Sequence, residues 1–314
     1  MPYIPLGNQF ASRPSACLSP PFSTILIRMT FDLHTYLDER KRLVEEHLFA
    51  AGLPDAGARP AILSEALRHA VLSGGKRLRP ILCLAAAEAA GGKRADAQYP
   101  ASAIELLHTY MLVHDDLPCM DNDLQRRGQP TVHAKYGEAI GVLAGDALQT
   151  LAFETLARTP EKRPGTVSRL VSELASAAGA AGVIAGQAED IRFAASATRG
   201  IIDYVFQHKT ADLFRAACRL GAITADASEP DLEKLSSFAN NLGFAFQIID
   251  DLLDAKEAKS DIKPELSCLD GMSEAEARTW ADDHTRRACA ELEGLPGDTV
   301  PLIALAGSLL SRIL

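Results

Sequence analysis

"LLHTYMLVHDDLPCMDNDLQRRGQPTVH", residues 106–133, is the stretch whose reading decides the fold. It opens as an apolar helix and then sets Asp115, Asp116, Asp121 and Asp123 within nine positions. Arg126 and Arg127 follow directly. Pro118 cannot continue a helix, and Leu117 before it is biased away from helical backbone. Asp115 and Asp116 are therefore expected in a last helical turn. There the macrodipole is already negative, and a carboxylate costs roughly 0.3–1 kcal/mol. On an unbroken helix Asp121 would point about 240° away from Asp115, so the break is what lets it turn back. A solvated acidic helix end would explain one such cluster.

A second cluster changes the reading. "FANNLGFAFQIIDDLLDAKEAK" spans residues 238–259. Asp250 and Asp254 lie one turn apart on one face, with Asp251 beside them. Like charges at that spacing cost about 0.2–0.5 kcal/mol, and an apolar run directly precedes them. Two frustrated acidic ends on apolar helices suggest a shared cationic ligand. Carboxylate-only ligation suits Mg²⁺ or Mn²⁺ and not zinc. No Glu-x-x-His pair accompanies the clusters, which weakens a di-iron reading.

Basic residues complete the pattern. In "LSGGKRLRPIL" (residues 72–82) Gly74 and Gly75 end one helix and Pro80 starts the next. Lys76, Arg77 and Arg79 then sit at a helix N-terminus, the wrong sign for its dipole, which an anion would correct. "HKT" adds Lys209 and Thr210. Acids, a divalent ion and several cations together point to a diphosphate substrate.

Composition sets the limits. The chain has 314 residues, 47% hydrophobic and 23% charged, with a formal net charge of −9. The acidic balance argues against nucleic acid as a partner. Six scattered cysteines without a CxxC pair read as reduced thiols of a cytoplasmic protein. No uncharged apolar run approaches the roughly 18 residues of a membrane span. Residues 1–28 contain no acid and are rich in Pro and Ser, which reads as a disordered extension or, alternatively, a transit peptide. From residue 29 to 314, Ala and Leu at helical spacing, punctuated by Gly and Pro, predict a single all-α domain of about ten helices.

Five signals, in order, carry a resemblance: GGKRLRP, HDDLPCMDND with RRG, GQAED, HKT and FQIIDDLLD. Over residues 30–314 the chain resembles trans-isoprenyl diphosphate synthases, most closely the bacterial farnesyl diphosphate synthase group. The resemblance implies a bundle of helices around a deep central cavity, usually in a homodimer. It implies Mg²⁺, expected as three ions replaceable by Mn²⁺, on Asp115, Asp116 and Asp121 on one side and Asp250, Asp251 and Asp254 on the other. It places the allylic diphosphate on Arg126, Lys209, Thr210 and Gln247. It places isopentenyl diphosphate on Lys76, Arg79, His108 and Arg127.

Tyr110 and Met111, five and four positions before Asp115, are expected to form the cavity floor. Both are large, which in the family goes with short products, so farnesyl diphosphate is the expected product and geranylgeranyl diphosphate the alternative. A terpene cyclase would not need GGKRLRP or the arginine pair, and a non-catalytic partner subunit would lose aspartates. The loop after Asp254 is shorter than in the family, and Lys263 is matched to its second lysine. Ala211 and Leu124 stand where the family commonly has Gly and Asp.

Overall fold

Helices in this chain begin and end where the punctuation places them. A computed structural model describes residues 31–55, 57–193, 198–256 and 266–313. The extension 1–28 and Lys263 lie outside these residues. In chain order the α-helices are α1 (Leu33–Ala50), α2 (Ala61–Leu72), α3 (Leu78–Ala89), α4 (Gln98–Asp115), α5 (Val132–Tyr136), α6 (Glu138–Ala157), α7 (Thr166–Ala178), α8 (Val183–Phe193), α9 (Arg199–Val205), α10 (Asp212–Thr224), α11 (Glu229–Asp254), α12 (Glu274–Glu291) and α13 (Val300–Leu310). Short 3₁₀ turns cover Arg94–Ala97 and Cys268–Asp270.

The longest element, α11, shows how the sequence starts a helix. Ser228 accepts the N–H of Asp231, Pro230 sits in the first turn, and Glu229 and Asp231 face the positive end of the dipole. The helix α12 opens with a capping box between Ser273 and Glu276. The helix α4 stops at Asp115, as Pro118 requires.

The core lies where α4 packs on α6 and α3, α3 on α10, and α11 on α10 and α12. Leu82, Leu84, Ile104, Leu106, Leu107, Phe214, Phe238 and Leu242 are almost fully buried within it. All five cysteines among the described residues are free thiols. One helical stretch, Thr166–Phe193, has the length and mean hydropathy (1.2) of a membrane span. It is broken at Gly179–Gly182 into α7 and α8, and α7 is packed against α10.

Two features have no counterpart in the sequence reading. Gln125–Arg126 and Gln129–Pro130 pair as a two-residue antiparallel hairpin. Its turn residues Arg127 (φ 55°) and Gly128 (φ 74°) both have positive φ, the geometry of a type I′ turn. The second is a π-helical turn over Phe206–Ala211, between α9 and α10. It carries Lys209 and Thr210, at the kind of irregularity often found at functional sites.

Candidate active site

The first acidic helix end is built around a bend. After α4 stops, the Asp121 N–H donates to the Asp115 carbonyl (2.8 Å) and the Met120 and Asn122 N–H groups to the Leu117 carbonyl. The chain thus folds Asp121 back beside Asp115. Burial pushes the Asp115 carboxyl up to about 6; Lys209 pulls against this, while Asp121 adds to it. Burial raises Asp121 too, opposed by Lys209 and reinforced by Asp123. Lys209 therefore serves both acids at once. Its ammonium also holds Asp190 at 2.5 Å. Burial works against that ammonium, but Asp190, Asp115 and Asp121 outweigh it and hold its pKa above the ordinary lysine value. Asp116 points elsewhere. It is 4% exposed and takes the Arg126 guanidinium at 2.6 Å, and Arg126 also reaches Asp123 at 3.2 Å.

The hairpin explains why two consecutive arginines part. Arg126 closes the strand pair, and Arg127 occupies the left-handed corner of the turn. From there the Arg127 guanidinium donates to the Gly74 carbonyl. Gly75 has φ 128°, and any Cβ there would overlap that guanidinium, so the residue must be glycine on both counts. The GGKR turn and the RRG hairpin are one structure. Arg77, between them in sequence, faces inward: it pairs with buried Glu105 at 2.6 Å and with Glu45 at 3.2 Å.

Arg79 donates to His108 Nε2 at 3.2 Å and lies over the Phe214 ring. Burial, then the charges of Arg79, Arg127 and Arg126, drive the His108 pKa well down, so a neutral imidazole accepts this bond. Burial lowers Arg79 to about 10, opposed by the charges of Glu105 and Asp250. Lys76 also acts on Asp250.

At the second acidic end Asp250 meets Arg312 at 3.0 Å. Burial raises its pKa, Arg312 pulls it down, and Asp254 pushes it up. Asp254 is exposed. Asp251 is 8% exposed, and its oxygens accept from Gln247, Ser267 and the Cys268 N–H. Gln247 also takes the Thr210 hydroxyl at 2.8 Å. Thr210 sits in the π turn, which Asp212 braces by accepting from Gln207, His208 and Arg215. Ala211 fits there because α11 presents Gly243, where a Cβ would come within 2.6 Å of the Ala211 Cα.

Several of these side chains line a cavity of 610 Å³, within the roughly 300–1,000 Å³ usual for ligand sites. Its polar end is formed by Arg79, His108, Asp115, Lys209, Thr210 and Gln247. Its apolar wall includes Tyr110, Met111, Val142, Ile184 and Ile191. Tyr110 stands edge-on to His114, ring centres 5.3 Å apart. Among the described residues no three acidic, His or Cys side chains already converge on one point. Asp115 with Asp121, and Asp250 with Asp254, nonetheless form acid pairs whose burial and like charge Lys209 and Arg312 offset only in part, the donor chemistry a hard cation such as Mg²⁺ suits. That ion ordinarily completes its shell with water and substrate phosphate.

Of the residues expected in the site, Arg79, His108, Lys209 and Thr210 line this cavity, whereas Arg126 and Arg127 line a neighbouring cleft with Asp116. The sequence reading named no role for Asp190, the last residue of GQAED, although the motif itself was a signal. It overlooked Arg312, which lies just past the end of the apolar helix α13 and which nothing in the sequence marks.

A family model described as polyprenyl synthetase matches residues 60–267. The heterodimeric geranylgeranyl pyrophosphate synthase large subunit 1, chloroplastic, of Arabidopsis thaliana is 39% identical, over 90% of this chain and 80% of its own. The geranylgeranyl diphosphate synthase of Cyanophora paradoxa is 36% identical, over 91% of this chain and 98% of its own. Among solved structures, an apo FPP/GFPP synthase from Zymomonas mobilis superposes with a TM-score of 0.80 and 36% identity, covering 88% of this chain and 98% of that one.

Proposed function

The chain belongs to the polyprenyl synthetase family and is a prenyltransferase, and we propose that it joins an allylic diphosphate head to tail with isopentenyl diphosphate, ending at geranylgeranyl diphosphate. The observation that carries this reading is a cavity with Arg79, Lys209 and Asp115 at its polar end, the second acidic end coupled to it through Gln247–Asp251 and Arg79–Asp250, and an apolar wall beyond. Lys209, Thr210 and Gln247 would hold the allylic diphosphate, with Arg126 beside them. Lys76, Arg79, Arg127 and neutral His108 would hold isopentenyl diphosphate. Asp115, Asp121, Asp250 and Asp254, with Asp190 beside Lys209, are the carboxylates suited to Mg²⁺. When bound, Mg²⁺ would neutralise the leaving diphosphate and lower the cost of its departure.

The chain's own task is electrostatic. Lys209 and Arg126 stabilise the charge that develops as the allylic C1–O bond breaks and diphosphate leaves with its electron pair. The wall excludes water from the carbocation. The double bond of isopentenyl diphosphate attacks C1, and the resulting cation loses a proton to the released diphosphate. No side chain need act as nucleophile.

Twenty carbons replace the fifteen expected from Tyr110 and Met111, because both curated relatives described above are named as geranylgeranyl synthases. Fifteen carbons is the second reading, favoured by two large buried residues on the cavity wall, 7% and 8% exposed. Chromatography of the dephosphorylated products decides: mainly twenty-carbon alcohol supports the first reading, mainly fifteen the second. Tyr110→Ala should lengthen the product in either case.

We read the active form as a homodimer; Leu143 on α6, 52% exposed and outside the cavity lining, suits a partner's apolar face. Light scattering of the purified chain tests this. The cytoplasm remains our compartment, against the chloroplastic label of a relative; a reporter fused to residues 1–28 separates the two.

A further inference from the structure

Of the two acids at the end of α11 that follow Gln247 most closely, Asp250 and Asp251, one pairs with a cation and the other, among the described residues, is held by neutral donors. Asp250 meets Arg312. Asp251 uses both oxygens on neutral donors. Oδ1 accepts Gln247 Nε2 at 3.0 Å, and Oδ2 accepts the Cys268 N–H at 2.7 Å and the Ser267 hydroxyl at 3.2 Å. Cys268 is fully buried. The other end of the Gln247 amide, Oε1, accepts from Thr210 at 2.8 Å.

A single line of hydrogen bonds therefore runs from the π turn, through Gln247 and Asp251, to the turn that opens the 3₁₀ helix Cys268–Asp270. Its direction is fixed by chemistry. The Asp251 carboxylate can only accept, so the Gln247 amide nitrogen must face it, and the amide oxygen is left to accept from the Thr210 hydroxyl. Only a carboxylate offers an acceptor on both sides; an asparagine would set its NH₂ against either the Gln247 amide or the Cys268 N–H. If Asp251 turned toward a metal ion, a buried amide and a hydroxyl would lose their acceptor.

We propose that Asp251 is a positioning residue and not a metal ligand: it fastens Ser267–Cys268 to α11 and, through Gln247, sets the hydroxyl of Thr210 for the allylic diphosphate. The second half of this statement rests on the reading given under Proposed function; the fastening does not.

The test compares Asp251→Asn with Asp250→Asn by two measurements. The first is hydrogen exchange of metal-free protein without substrate. Asp251→Asn should speed exchange at residues 266–270 by about tenfold or more, the factor expected for loss of a charged hydrogen bond, and Asp250→Asn should leave it unchanged. Ser267→Ala, which removes one donor to Asp251 and also the acceptor of the Leu269 N–H, should speed it by about threefold with the largest change at Leu269. The second is steady-state turnover. Asp251→Asn should raise KM for the allylic diphosphate several-fold while the Mg²⁺ concentration for half-maximal rate stays put. Asp250→Asn should instead raise the Mg²⁺ requirement. Unchanged exchange in Asp251→Asn, or a Mg²⁺ requirement that rises as in Asp250→Asn, overturns the proposal. If wild type turns over no allylic diphosphate, the functional reading fails, and the exchange data still judge the fastening.

Discussion

The two acidic helix ends look alike in sequence and are balanced in different ways. Around α4, the charge is met by cations from other elements: Lys209 from the π turn for Asp115 and Asp121, and Arg126 from the hairpin for Asp116. Around α11, one acid is met by Arg312, one by neutral donors, and Asp254 is left to solvent. The same cations that quiet the first end are those proposed to grip substrate. A ligand arriving there must rearrange charge, whereas at the second end half of the acid is already spent on architecture.

The hardest blow to this contrast would come from removing one metal-suited acid at each end. Asp115→Ala and Asp250→Ala should each lower kcat by ~10²–10³, the cost of losing one preorganised electrostatic group, and EDTA should abolish turnover. A loss of less than tenfold for Asp250→Ala alone would make the second end a scaffold only. Next in size is Gly75→Ala. A left-handed alanine and a displaced Arg127 should destabilise the protein by roughly 1–3 kcal/mol and raise KM for isopentenyl diphosphate more than KM for the allylic substrate. Equal changes in both would detach the hairpin from the basic subsite.

A smaller effect follows from the Asp115 carboxyl, which burial lifts to about 6 from an ordinary value of 3.8. The folded state holds this proton more tightly than the unfolded chain does. Its contribution to stability is therefore full below about pH 4 and is lost as pH rises through about 6. Asp115→Asn should raise the Tm of metal-free protein by a few degrees, roughly, at pH 7.5, and the gain should vanish near pH 4. A gain that persists in acid would show that charge is not its cause. Smallest is Arg312→Ala. The pair is about one-third exposed on each side, so stability should change by ~0–1 kcal/mol. With its resident counter-ion gone, Asp250 should take Mg²⁺ at lower concentration; a higher Mg²⁺ requirement would mean that Arg312 assists the loaded site.

Much of this was readable before any coordinates. Pro118 does end α4, Asp121 does fold back, and Gly74–Gly75 does separate two helices, because each rests on local backbone chemistry. The hairpin escaped because two-residue strands carry no period. The π turn escaped because its bonds skip one more residue without changing composition. Arg77 was expected at an anion site and faces Glu105, since sequence shows a charge but not which way a left-handed residue (φ 51°) aims it. Product length was read from Tyr110 and Met111 on α4 and from the six-residue step between Asp115 and Asp121, although the cavity wall also draws on α6 and α8.

The contact between Arg127 and Gly75 has one more consequence, for how such chains can vary. Neither position is free to drift alone: a side chain at 75 evicts the arginine, and a shorter residue at 127 leaves the glycine turn without its brace. The two positions act as a unit although some fifty residues of chain separate them. A chimera spliced to a relative anywhere between residues 76 and 126 takes one half from each parent. It should fold and work only where both parents carry glycine and arginine at these places, while crossovers outside that window should be tolerated far more freely.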